Sequence, residues 1–157
     1  MLKSLLDFRQ IGYLIFYVTN RCNFQCKFCF YYEEIEKGLK PDEMTLEEIA
    51  RLTRRLGPLL QLSLTGGEPF LRQDLAEITR LFVEDCSARY ITIPTNAWLT
   101  DSMVKYLETV LPRHPHSYLR FTNSGSWGDI SLIVRRQTGT RERENGQIVR
   151  CNAAWGG

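Results

Sequence analysis

The chain reads as an α/β fold on a parallel sheet, and three observations carry that reading. Apolar residues switch between period two and the helical period in the order β-α-β-α-β-α-β. A complete capping signature, Thr45-Leu46-Glu47-Glu48, opens a helix between two strand-like runs. The residues suited to special chemistry follow the ends of strands, where parallel sheets gather their sites. Such an order implies right-handed crossovers.

Each element has its own signal. Residues 1–10 form an amphipathic lead-in, with Leu2, Leu5, Leu6 and Phe8 among Lys3, Asp7 and Arg9. Tyr13-Leu14-Ile15-Phe16-Tyr17-Val18-Thr19 is β-branched and aromatic, and reads as a strand. The segment 20–44 shows no clear periodicity. Irregular stretches beyond about 12–15 residues are uncommon in compact domains unless they serve a function. Thr45 caps the first helix, Leu46, Ile49, Leu52, Thr53 and Leu56 continue it, and Gly57-Pro58 stops it. Arg51, Arg54 and Arg55 read as its solvated face rather than as a phosphate site.

A second strand is expected over residues 59–65, with Leu60, Leu62 and Leu64 on one face and Gln61, Ser63 and Thr65 on the other. With helices packed outside, the polar face would line a lumen. Asp74 with Glu77 gives a second helix start, and Leu75, Ile78, Leu81 and Phe82 form its stripe. Residues 89–96 read as a third strand, with Pro94 near its end because proline cannot donate to a ladder. Thr100 is expected to cap a third helix that runs to about Leu111 and stops at Pro112. Residues 117–122 complete the series as a fourth strand.

Bulk properties exclude several classes. At 157 residues the chain is one domain in size, and its 43% apolar content is ordinary for a globular protein. A net charge of +2 gives no argument for nucleic acid or a membrane surface. No apolar run reaches signal-peptide or bilayer-spanning length, so a cytoplasmic location is expected. Five cysteines are an odd number, and three of them lie close together, which favours metal ligation over a disulfide scaffold. Cys86 falls in a helical stripe and reads as a core residue, while Cys151 stands alone.

The three close cysteines are Cys22, Cys26 and Cys29, spaced Cys-x3-Cys-x2-Cys. A closed structural site would recruit a fourth protein ligand nearby. Three thiolates without one can hold an iron–sulfur cluster with a vacant iron. The alternative is a zinc site completed by His114 or His116, which otherwise read as solvated loop residues. Gly66-Gly67 taken alone reads as a tight turn, and Glu68 as a residue favouring a following helix start. Phe24, Phe30, Tyr31 and Tyr32 fit either packing of the cysteine loop or contact with substrate.

Together, Cys22-Asn23-Phe24-Gln25-Cys26-Lys27-Phe28-Cys29 after a first strand and Gly66-Gly67-Glu68-Pro69 after a second resemble the radical S-adenosylmethionine (SAM) superfamily over about residues 11–122. The resemblance implies a partial (β/α) barrel of about the first three to four βα units. It implies that Cys22, Cys26 and Cys29 ligate a [4Fe–4S] cluster whose fourth iron SAM chelates through its amino and carboxylate groups. Phe28 would sit by the adenine. The Gly66-Gly67-Glu68 turn would receive the methionyl amine through its backbone, glycine suiting the close approach. Thr95 and Asn96 would lie near SAM or substrate. The implied activity is reductive cleavage of SAM to a 5′-deoxyadenosyl radical that abstracts hydrogen from an unknown substrate. A flavodoxin or ferredoxin would supply the electron. No catalytic residue beyond the cluster ligands is assignable.

Residues 123–157 depart from this pattern. Relatives carry a Ser-Leu-Asp-Gly-like turn after the fourth strand, where this chain has Thr122-Asn123-Ser124-Gly125. Neither Thr122 nor Ser124 can be assigned the serine's role. Only Ile130–Val134 and Gln147–Val149 suggest strands, and no amphipathic helix is visible. The tail is therefore expected to be atypical, from a shifted reading frame or a fragmentary gene, and poorly ordered. Two further readings stay open: an inactive remnant that binds a cluster without turnover, and a zinc-binding module.

Overall fold

The computed structural model describes residues 12–30, 32–33 and 43–122, and the backbone of 131–134. The lead-in 1–10, Tyr31, Ser124, Cys151 and the strand expected at Gln147–Val149 lie outside the described residues. The elements are β1 (Tyr13–Thr19), α1 (Leu46–Leu56), β2 (Gln61–Gly66), a 3₁₀ turn (Pro69–Leu71), α2 (Leu75–Cys86), β3 (Tyr90–Pro94), α3 (Thr100–Arg113), β4 (Tyr118–Thr122) and β5 (Ser131–Val134). The sheet order is β1-β2-β3-β4-β5. The first four strands are parallel and alternate with helices, giving an open sheet consistent with part of a (β/α) barrel. The strand expected near 130–134 is β5, which pairs antiparallel with β4.

Period-two geometry divides the sheet into two faces. Phe16, Val18, Leu62, Leu64, Ile91, Ile93, Leu119 and Phe121 are buried on the helix side, with Ile49, Ile78, Phe82, Tyr106 and Val110. Removing each large side chain of this kind from water is worth about 1.5–3 kcal/mol. Phe16 meets Phe82 edge-on at 5.2 Å, and Phe70 contacts both Tyr106 and Phe121. The one polar tip in this aromatic group is satisfied: Tyr106 Oη and Thr79 Oγ1 lie 2.9 Å apart. Burial drives the Tyr106 phenol well above its ordinary value. Cys86 is fully buried, as its stripe position implied, and burial raises its thiol.

The opposite face is built in registered rows. Tyr13, Gln61, Tyr90 and Tyr118 form one row, and Ile15, Ser63, Thr92 and Arg120 the next. Tyr17 pairs with Thr65, and Pro94 with Thr122, in the row nearest the strand ends. Tyr13, Ile15, Tyr17 and Tyr90 are each about half exposed. Among the described residues no helix is long and apolar enough to cross a membrane.

Several local expectations change. The Thr45–Glu48 capping box is present in both directions, and Gly57 ends α1 at a φ of 71°. Arg51, Arg54 and Arg55 are exposed. Leu60, expected beside Leu62 and Leu64, precedes the strand and is exposed. Asp74 stands at the start of α2 but makes no side-chain cap. Its carboxylate takes the Arg72 guanidinium instead, at 2.7 and 3.2 Å, because a charged bidentate partner outcompetes a backbone amide. Thr100 is the first residue of α3 rather than its cap. Pro112 lies inside the last turn, where a missing N–H costs one bond, and the His114 amide closes the helix onto Val110.

Candidate functional site

The loop after β1 is anchored to the turn after β2 through backbone. Gly67 N–H donates to Thr19 O at 2.9 Å, and Glu68 N–H to Arg21 O at 2.8 Å. The glycines are demanded by this seam. A Cβ on Gly66 (φ 138°) would lie 2.0 Å from Thr19 O, and one on Gly67 would lie 2.1 Å from Arg21 O. Glycine thus permits approach of one protein strand to another, a constraint present without any ligand.

Glu68 ties this turn to the end of β3. Its side chain is buried and accepts from Phe70 N–H at 3.1 Å, Thr95 Oγ1 at 2.9 and 3.0 Å, and Asn96 N–H at 2.8 Å. Burial pushes its carboxyl above the ordinary range, against the pull of the Asn96, Phe70 and Thr95 donors. Asn96 reaches on to the cysteine loop, Nδ2 donating to Asn23 Oδ1 at 2.8 Å. Its own Oδ1 accepts from Trp98 N–H. The three strand-end loops are therefore one hydrogen-bonded unit.

Cys22, Cys26, Phe28, Cys29, Gly66, Gly67, Glu68, Thr95 and Asn96 all line a single open pocket of about 330 Å³. These are the residues that the radical SAM resemblance nominated for cluster and cofactor binding. Tyr17, Phe24, Phe30, Thr65 and Pro94 complete the lining. The three cysteines are free thiols of intermediate burial, so none is consumed in a disulfide. Phe24 N–H donates to Cys22 Sγ at 3.4 Å, the kind of contact that favours a thiolate. Desolvation nevertheless raises the Cys22 thiol, and the charges of Glu68, Cys29 and Cys26 add to that. Metal coordination removes such a proton outright.

His114 and His116 do not join the cysteines. His114 and His116 precede β4, whereas the cysteines follow β1, so in a parallel sheet they sit at opposite ends. Among the described residues no three His, Cys, Asp or Glu side chains are gathered closely enough to hold one metal ion. A four-iron cluster places each thiolate on a different iron and suits sulfurs spread around a pocket.

The family comparison agrees with this geometry. The model of the radical SAM superfamily matches residues 16–119. The chain belongs to the radical SAM superfamily. That membership implies a [4Fe–4S] cluster and SAM, and the donor set of free thiols around one pocket fits them. Among curated relatives, the chain is 34% identical over 102 residues to a GTP 3′,8-cyclase of Peptoclostridium acidaminophilum, covering 64% of this chain and 31% of the relative. It is 38% identical over 98 residues to a GTP 3′,8-cyclase of Cronobacter sakazakii (strain ATCC BAA-894), covering 57% and 28%. The chain spans less than a third of the length of either relative.

Sequence reasoning missed part of the candidate site's support. Arg72 is buried and donates to Val18 O and Met44 O, both at 2.6 Å, so it clamps the end of β1. Glu43 accepts from Thr19 Oγ1 and from Arg21 Nε. Burial opposes the Glu43 charge, but those donors outweigh it and hold the carboxyl below its ordinary value. Neither residue had a periodic or motif signal, because each acts on backbone or side chains far along the chain. Asn23 lay inside the cysteine motif, yet only the fold reveals Asn96 as its partner.

Proposed function

We propose that this chain is the cofactor-bearing part of a radical SAM enzyme. The observation that carries the reading is the meeting of three free thiols, the Gly66-Gly67-Glu68 turn and Thr95-Asn96 around one pocket. Cys22, Cys26 and Cys29 hold the cluster. Phe28, 65% exposed at the pocket, supplies an open ring face for the adenine. The Gly66-Gly67-Glu68 turn receives the methionyl amine through its backbone, and Thr95 and Asn96 bound the SAM side of the pocket. Glu68 itself acts by holding the turn and the Thr95-Asn96 loop together, since its carboxylate is committed to donors of the chain.

When bound together, cluster and SAM supply one-electron reductive cleavage of the sulfonium and a 5′-deoxyadenosyl radical that abstracts hydrogen. The protein's share is to orient the two and exclude competing reactions. A flavodoxin or ferredoxin is the proposed electron donor. The likeness to two GTP 3′,8-cyclases makes GTP the first substrate to test.

Anaerobic reconstitution with iron and sulfide tests the reading. We expect the absorbance and electron paramagnetic resonance of a [4Fe–4S] cluster, and 5′-deoxyadenosine on adding SAM and dithionite. Replacing Cys22, Cys26 and Cys29 together by alanine should abolish both signals. One tightly bound zinc with no cluster overturns the proposal. A cluster without 5′-deoxyadenosine replaces the enzyme by an inactive remnant.

A further inference from the structure

We propose that Trp98, in the loop after β3, is a positioning residue that keeps the Phe24 amide on the Cys22 sulfur and so raises the reduction potential of the cluster; this rests on the radical SAM reading. Two contacts join the loop after β3 to the cysteine loop. Asn96 Nδ2 donates to Asn23 Oδ1 at 2.8 Å. At the next residue of the cysteine loop, the Phe24 ring meets the Trp98 ring, with centroids 5.8 Å apart and planes tilted by 56°. Phe24 N–H in turn donates to Cys22 Sγ at 3.4 Å. The line of contacts that starts at Trp98 therefore ends on a sulfur proposed as a cluster ligand.

The loop's own bonds fix where Trp98 stands. Its amide donates to Asn96 Oδ1 at 3.0 Å, and the Ala97 amide donates to Thr95 Oγ1 at 3.0 Å. Between them Ala97 takes a φ of 59°, a left-handed conformation that a Cβ makes costly. Such strain persists where the surroundings hold it, and Thr95 is itself held by the Glu68 carboxylate. The Trp98 side chain is 70% exposed, so burial in the core does not account for its placement. Contacts outside the ligands orient them and tune a metal centre. A donor at a ligating sulfur stabilises the negative charge added on reduction, and hydrogen bonds to sulfur are among the factors that set a cluster's potential. The sign separates this role from simple shielding. Water admitted beside the site also stabilises added charge, so uncovering it raises the potential, whereas loosening the Phe24 amide lowers it.

Two measurements test the proposal. The first is hydrogen exchange at the Phe24 amide of the cofactor-free chain, read by nuclear magnetic resonance. Trp98→Ala should speed it roughly three- to tenfold, the scale of one lost aromatic pair. Trp98→Phe keeps a ring against Phe24 and should recover most of the protection. Leu60→Ala removes an exposed apolar side chain at the opposite end of the strands and should match wild type. The second is the midpoint potential of the reconstituted cluster, followed by electron paramagnetic resonance. Trp98→Ala should lower it, toward the roughly tenfold weaker reduction (about 59 mV for one electron) that complete loss of a charge-assisted bond gives. Melting curves establish that each variant is folded. Should Trp98→Ala unfold, Asn23→Ala carries the comparison, because it removes the acceptor of Asn96 and should shift both readouts in the same directions. Unchanged exchange in Trp98→Ala overturns the proposal, as does a potential that rises or moves no more than in Leu60→Ala. Exchange needs neither cluster nor SAM. Faster exchange in a chain that assembles no cluster refutes the enzymatic reading and leaves Trp98 as the holder of the Phe24 amide; SAM cleavage with unchanged exchange refutes this proposal alone.

Discussion

Gly67→Ala should destabilise the chain before any cofactor is present. The new Cβ would lie 2.1 Å from Arg21 O and 2.5 Å from Arg21 C, both backbone atoms that no rotamer change can move. The two loops must then part by about 1 Å, an overpacking cost of about 1–3 kcal/mol. Parting also stretches the pair of amide bonds across the seam, from Gly67 to Thr19 and from Glu68 to Arg21. Each is worth about 1 kcal/mol net. The expected loss is about 3 kcal/mol, or a Tm lower by roughly 12 °C for a body of about 100 residues. Urea and thermal unfolding of the cofactor-free chain, followed by circular dichroism, would measure it. A Gly67→Ala chain within about 0.5 kcal/mol of wild type, weakened only in SAM binding, would refute the reasoning. Glycine would then be present for the ligand and not for the seam.

Two further outcomes follow from buried charge. Arg72→Met should cost about 3–5 kcal/mol, because Val18 O, Met44 O and the Asp74 carboxylate lose a buried cationic partner together; a loss below about 1 kcal/mol in urea unfolding would show that the clamp is dispensable. His114 has its imidazole pushed below the ordinary 6.5, first by desolvation and then by Arg113 and Arg80 against Glu84 and Glu77. Its folded form resists protonation, so its contribution to stability is present above about pH 6.5 and is lost as the pH falls through and below that value. Glu68, raised by burial, acts with the opposite sign as pH falls, so the informative quantity is the difference from His114→Gln. That variant should lose less stability than wild type between pH 7 and pH 5, and parallel stability curves would exclude the effect.

Much of the sheet was legible because it is coded locally. The Thr45–Glu48 box closes within four residues, and the period-two and helical stripes declare which side chains share a face before any partner is known. Failures occurred where a local signature met a stronger distant or neighbouring group. Asp74 has the position of a cap, but Arg72 holds its carboxylate. Leu60 fits the alternation, yet pairing of β2 with β1 begins at Gln61, leaving it outside.

The candidate site divides along the same line. Cysteine spacing and the Gly-Gly-Glu-Pro turn could be read from residues alone, since ligand number and backbone freedom are local properties of short segments. Their assembly could not. Arg72 reaches Val18 across 54 positions, Asn96 reaches Asn23 across 73, and Glu68 reaches Asn96 across 28. Bonds of that separation leave no periodic trace, because crossover connections and strand register decide them. The kinds of chemistry available belong to the linear chain; the single pocket they share and the seam that requires its glycines come from parallel strands ending on one rim.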